Sequence, residues 1–142
     1  MNSKKIGNIG EAYALAKLVE FGIPVYQQFG DNEPADYLII VNNIIYKIQV
    51  KTSTTNDENT VTFGLTSSTC HRKAGIRHKY SKEEVDYFIC YDIISNTLFL
   101  IKNNGDMSSI KIRYRECRQG KNTNKAEDLT LCVETLHRMS KD

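Results

Sequence analysis

Glycine and proline are scarce in this chain, with 8 and 2 among 142 residues. That excludes collagen-like and low-complexity disordered architectures. No apolar run approaches the roughly 20 residues of a membrane-spanning helix. The opening MNSKKIGNIGEAY has neither the apolar stretch nor the small-residue cleavage site of a secretory signal. A cytoplasmic protein without a membrane partner is therefore the expectation. Cys70, Cys90, Cys117 and Cys132 form no CxxC pair and no tight Cys/His cluster, which argues against a zinc site or a redox dithiol and for reduced structural thiols. A large charge excess is missing too: 19 Lys and Arg against 17 Asp and Glu leave +2, so the distribution of charge must speak for partners.

The hydrophobic fraction of 40% and charged fraction of 25% belong to an ordinary globular chain, of a length suited to one domain over residues 1–142. From Lys4 to Phe21, Ile6, Ile9, Tyr13, Ala16 and Val19 keep helical spacing, and Gly22 and Pro24 end the helix. Strands are expected at 23–29, 35–41, 44–52, 61–65, 85–94, 97–102 and about 107–114. Residues 66–80 show no hydrophobic periodicity, and Leu129, Val133, Leu136 and Met139 suggest a closing helix over 126–139. A helix, a hairpin-centred sheet and a final helix make an α/β or α+β fold, which by itself leaves function open.

Asn42-Asn43 separates two of these strands, and Asn tolerates the left-handed backbone that a two-residue hairpin requires. If Val41 faces Ile44, then Asp36 faces Gln49. The same register gathers Tyr37, Ile39, Val41, Ile44, Tyr46, Ile48 and Val50 on one apolar face. The opposite face carries Asp36, Lys47, Gln49 and Lys51 among Leu38, Ile40 and Ile45, and its polar end is where Asp36, Gln49 and Lys51 meet.

A carboxylate and an ammonium on adjacent strands, with a third polar group between them, suit metal-assisted phosphodiester cleavage. A lysine beside the cation can orient or deprotonate a water and offset charge on phosphorus. Taken singly, these residues have ordinary readings as well: Glu11 as a rim or ion-pair glutamate, Asp36 as a turn residue, Lys51 as a snorkelling strand end.

Together, Glu11, Pro34-Ala35-Asp36 and Gln49-Val50-Lys51 resemble the PD-(D/E)XK nuclease signature in the variant with Gln at the second acidic position. GNIGEAYALAKLVEFG, GDNEPADYLI, KIQVKTS, EEVDYFICYD and IKIRY with NTNKAEDL look like the members of that family associated with group I introns. The pattern departs in placing Ala35 between Pro34 and Asp36. The resemblance implies a restriction-endonuclease-like core with a mixed central sheet, and a Mg²⁺-dependent double-strand DNA endonuclease of homing type, with Mn²⁺ able to substitute. It implies Asp36, Glu11 and Gln49 at the metal, Lys51 at the reacting phosphate, and a homo-oligomer, dimer or tetramer. A Holliday-junction resolvase and an inactive DNA-binding module of the same fold are the alternatives. With an amide in place of an acid, metal affinity without DNA should be weak, and substrate phosphate should complete the coordination shell.

Two basic runs suit phosphate contacts. Arg72, Lys73, Arg77, Lys79 and Lys82 lie in a stretch without an acid, and Lys111, Arg113 and Arg115 recur with a period of two, as on one exposed strand face. His71 and His78 fit phosphate or surface roles better than metal ligation.

Overall fold

The computed structural model describes residues 2–68, 77–115 and 123–142. Helix α1 spans Ser3–Glu20. The side-chain oxygen of Asn2 accepts the Lys5 N–H at 2.9 Å and so satisfies one of the free donors at its start. At the other end Gly22 takes φ 76°, while Ile23 N–H reaches the Leu18 carbonyl at 3.0 Å and Gly22 N–H the Val19 carbonyl at 2.9 Å. This is the glycine-terminated cap that the sequence predicts.

The buried line of α1 is Gly10, Ala14 and Leu18, flanked by Ile9 and Leu15. The expected stripe through Tyr13, Ala16 and Val19 is rotated outward: Tyr13 is 48% and Val19 61% exposed. Tyr13 is not core. Its ring stacks on Tyr91 with centroids 4.6 Å apart. Small residues take the contact line because the helix lies close against the sheet, as Gly10 shows below.

Among the described residues nine strands follow: β1 Val25–Gln27, β2 Tyr37–Val41, β3 Ile44–Ser53, β4 Thr60–Gly64, β5 Thr66–Ser68, β6 Arg77–Lys79, β7 Tyr87–Asp92, β8 Thr97–Lys102 and β9 Ser109–Arg113. The central sheet runs β1-β2-β3-β7-β8, and β3–β7 is its one parallel pairing. Asn42 and Asn43 take φ 53° and 65°, the left-handed pair of a tight hairpin turn. Val41 pairs with Ile44 and Tyr37 with Ile48, the register expected from sequence. One face of the sheet, with Ile39, Tyr46, Ile48, Val50, Ile89 and Tyr91, packs against α1. Of the apolar face read from the hairpin, only Ile44, beside the turn, is exposed.

The opposite face, through Phe88, Cys90, Phe99 and Ile101, packs against the antiparallel β4–β9 ribbon, which contributes Val61, Phe63, Ile110 and Ile112. A second ribbon, β5–β6, occupies part of the stretch read as irregular. Its strands are three residues long and exposed on β6, too short and too polar to print a period on the sequence. The expected closing helix is divided into α2 Ala126–Leu129 and α3 Val133–His137. Between them Leu131 N–H donates to the Leu98 carbonyl at 2.8 Å and Thr130 bridges to Phe99. Backbone pairing with edge strand β8 interrupts the helix and covers the edge.

Asp92, fully buried at the end of β7, ties these layers together. It accepts hydrogen bonds from Tyr114 Oη at 2.6 Å, Asn56 Nδ2 at 2.9 Å, Ser95 Oγ at 2.9 Å and Ile94 N–H at 3.0 Å. Burial opposes its charged form, but the bonds from Tyr114, Asn56 and Ser95 outweigh that and hold the carboxyl below the usual range. Asp92→Ala would strand these donors, at about 3 kcal/mol and roughly 10 °C in Tm. Thermal unfolding with DNA cleavage measured in parallel checks this; an unchanged Tm would contradict it.

Candidate active site

The site forms where β2 stops. Asp36 precedes the first residue of β2 and still follows the ladder, donating its N–H to the Ile48 carbonyl at 2.8 Å. Two residues further along β3, the Asp36 carboxylate itself accepts the Val50 N–H at 2.8 Å. The side chain thus takes the place of the next backbone carbonyl, in the plane of the sheet, where groups from both faces can reach it.

From the helix side comes Glu11, half-buried and close enough to Asp36 for each carboxyl to act on the other's proton affinity. Its main chain is fixed by Tyr37 Oη, which donates to the Glu11 carbonyl at 2.9 Å. From the opposite side comes Lys51, whose Nζ donates to the Thr66 carbonyl at 2.9 Å and lies 5.2 Å from the centre of the Tyr80 ring. Gln49 shares that face, and its Nε2 donates to the Val50 carbonyl at 3.3 Å. The amide oxygen is therefore the end left for the cleft.

The electrostatics follow from this crowding. Burial, then the charge of Asp36 and the hydrogen bond to it, push the Glu11 carboxyl up to about 7. Asp36 is also raised by burial, against the Val50 N–H, the Lys51 charge and the bond to Glu11. Burial lowers Lys51, while the Asp36 charge works the other way and the nearby Arg77 adds to the lowering. Two carboxylates held together without a cation are frustrated near neutral pH, and a divalent ion would relieve them.

The oxygens near one another here, from Glu11, Asp36 and the Gln49 amide, are hard, and would suit an incoming Mg²⁺ or Mn²⁺ better than zinc. Among the described residues no group of three or more His, Cys, Asp or Glu gathers at one point.

Asp36 and Gln49 open into a cleft of about 720 Å³ also lined by Ser67, His78, Tyr80 and Glu84. His78 Nε2 and Glu84 Oε1 are 2.8 Å apart, and Glu84 also accepts the Ser81 N–H at 2.9 Å. The sequence reading missed Tyr80, the Thr66 carbonyl and the hydroxyl of Tyr37, which it treated only as core. An alternation of polar and aromatic residues at His78 and Tyr80 was the one available signal.

The basic residues fall into two groups. Arg77 on β6 is close enough to Lys51 to act on its charge, and Lys79 pairs with Asp106 at 2.8 Å. Lys111 and Arg113 lie on the outward face of β9, since Ile110 and Ile112 turn into the core, and Arg115 follows, exposed. Arg72, Lys73 and His71 lie outside the described residues.

Comparisons with known proteins bear on the fold and on the family. The solved structure of a bacterial homing endonuclease, I-Ssp6803I, superposes with a TM-score of 0.75 over 92% of this chain and 89% of that one, at 19% identity, a likeness of fold. Among curated proteins no relative matches the chain. A family model described as PD-(D/E)XK endonuclease matches residues 1–131, a span that takes in the helix bearing Glu11, the strand end at Asp36 and the Gln49-Val50-Lys51 segment. On that match the chain belongs to the PD-(D/E)XK endonuclease family.

Proposed function

We propose that this protein is a divalent-metal-dependent endonuclease that hydrolyses phosphodiester bonds of double-stranded DNA at specific sites, as a homing-type enzyme does. The observation that carries the reading is the Asp36 carboxylate, fixed by the Val50 N–H and approached by Glu11 from one face and Lys51 from the other. In the proposed mechanism Asp36, Glu11 and the Gln49 amide oxygen would hold Mg²⁺, or Mn²⁺ in its place, which when bound would supply charge neutralisation at the phosphate and a water of lowered pKa.

The chain's own residues do the rest. Lys51, with burial disfavouring its ammonium form, donates to a phosphate oxygen or takes the proton of the attacking water. The face of the Tyr80 ring, 5.2 Å from Nζ, offers the ammonium a cation–π contact. Arg77 binds a phosphate beside the reacting one, and Lys79, Lys111, Arg113 and Arg115 contact the backbone further along the duplex, with Arg72 and Lys73 in the same role. The whole chain acts as one endonuclease domain in the cytoplasm. Symmetric assembly brings two such sites to the two strands, and the exposed Tyr26, Leu38 and Ile45 on the uncovered part of the sheet support association.

The test uses purified protein with supercoiled plasmid and with a four-way junction, in Mg²⁺ or Mn²⁺, beside Lys51→Met. The native chain should linearise plasmid, and the variant should cut about 10²–10³-fold more slowly while still binding DNA. Binding without cutting under every condition would replace the enzyme with a DNA-binding module. A strong preference for the junction would make it a resolvase.

A further inference from the structure

Glu11, Asp36 and Lys51 come from three elements, and each has a sequence neighbour engaged in holding those elements together. Gly10 is buried where α1 crosses β3. A Cβ added there would lie 1.9 Å from Thr52 Oγ1 and 3.1 Å from Thr52 Cβ, so the crossing closes to a distance that only glycine permits. Thr52 follows Lys51, and among the described residues its buried hydroxyl has no hydrogen-bond partner. Nothing in its polar chemistry explains the contact, which is one of shape. Tyr37 follows Asp36 and is buried, and its hydroxyl donates to the Glu11 carbonyl at 2.9 Å.

Gly7 lies one turn earlier on the same helix, and a Cβ there would meet nothing within 4 Å. A helix-interior glycine is destabilising relative to alanine. At Gly7 that cost has no contact to offset it. At Gly10 it is what allows the close approach.

We infer that Gly10, Thr52 and Tyr37 form a clamp that sets the separation of the Glu11 and Asp36 carboxylates, and that they are positioning residues for divalent-cation binding. The inference rests on the reading of Glu11 and Asp36 as the cation's ligands. Moving α1 outward at Gly10 carries Glu11 away from a carboxylate that is fixed independently, through the Val50 N–H. An alanine Cβ there requires the Thr52 side chain to rotate away, and rotation still leaves Thr52 Cβ at 3.1 Å, a contact that an outward shift of α1 relieves.

The experiment compares Gly7→Ala, Gly10→Ala, Tyr37→Phe and the double variant Gly10→Ala/Thr52→Ala with the native chain. Two quantities are read: the Mg²⁺ dissociation constant of the DNA-free protein, from the rise of Tm with Mg²⁺, and the Mg²⁺ concentration for half-maximal plasmid cleavage. Gly10→Ala should raise both about tenfold, and Tyr37→Phe about threefold. The double variant, which removes the 1.9 Å overlap and leaves the 3.1 Å one, should recover most of the loss. Gly7→Ala should leave both constants as they are.

A purely structural role would lower the Tm of Gly10→Ala without moving either Mg²⁺ constant, and that result would overturn the inference. Should Gly10→Ala fail to fold, Tyr37→Phe decides the matter alone, since it removes one oxygen from an intact core, and an unmoved constant there overturns it equally. Failure of the underlying reading looks different: Asp36→Asn in the native background would then leave the Mg²⁺-dependent rise in Tm unchanged.

Discussion

Asp36→Asn should abolish DNA cleavage, by about 10³-fold or more, while leaving the protein folded. The two halves of this expectation have separate causes. An asparagine oxygen can still accept the Val50 N–H that Asp36 takes at 2.8 Å, so the end of β2 stays capped. The charge that attracts a divalent ion is gone, and with it the field that opposes the desolvation of Lys51. Asp36→Ala should cut equally poorly but also lose about 1–2 kcal/mol of stability, because the Val50 N–H loses its acceptor in a half-buried place. Plasmid cleavage and thermal unfolding of the two variants side by side check the division. A folded Asp36→Asn that cuts at even a tenth of the native rate would remove Asp36 from the chemistry.

Glu11→Gln should destroy activity and make the metal-free protein more stable at pH 8. The Glu11 carboxyl is pushed up to about 7 from an ordinary 4.5, first by burial and then by Asp36. Its folded value lies above its unfolded one, so the stability linked to its proton is present in full below pH 4.5 and is lost as pH rises to about 7. Above that, the metal-free chain holds two crowded carboxylates. With Glu11 half-exposed and screened by solvent, the loss is on the order of 1–2 kcal/mol. Glutamine removes it.

Mg²⁺ should therefore raise the Tm of the native chain at pH 8 and much less at pH 5, where Glu11 holds its proton and competes with the ion. The variant should show little Mg²⁺ effect at either pH, and cleavage lower by about 10²-fold. Scanning Tm at both pH values with and without Mg²⁺ reads all of this. Native and variant chains with the same pH dependence would refute the assignment of Glu11.

The parts of the molecule that were legible in the sequence are those whose physics is local. Asn42-Asn43 announces its turn because few residues accept two successive left-handed conformations. Once the turn is placed, alternation decides which side chains of β2 and β3 share a face, so the pairing of Asp36 with the Gln49 region follows. Glu11 was reachable only through the family pattern, since taken singly it reads as a rim or ion-pair glutamate. What stayed hidden depends on distant contacts. The true buried line of α1 runs through Gly10 and Ala14, which carry little hydrophobic signal, because the helix lies too close to β3 for larger residues. The helical spacing at Leu129, Val133 and Leu136 does not show that the backbone between them would be drawn into pairing with β8. Tyr80 reaches Lys51 only through a ribbon of three-residue strands that no periodicity marks.

The mixed pairing of β3 has a temporal side. Its antiparallel partner β2 lies across a two-residue turn, whereas its parallel partner β7 begins at Tyr87, after an excursion through β4, β5 and β6. Short loops close early and long ones late. During synthesis Asp36 and Gln49 can therefore come together soon after β3 emerges, while the lysine at the same strand end waits for Thr66, Tyr80 and β7 before it has surroundings that alter its proton affinity. One corner of the fold thus joins a pairing closed by a two-residue turn, which brings Asp36 to Gln49, with one closed over a long loop, which surrounds Lys51.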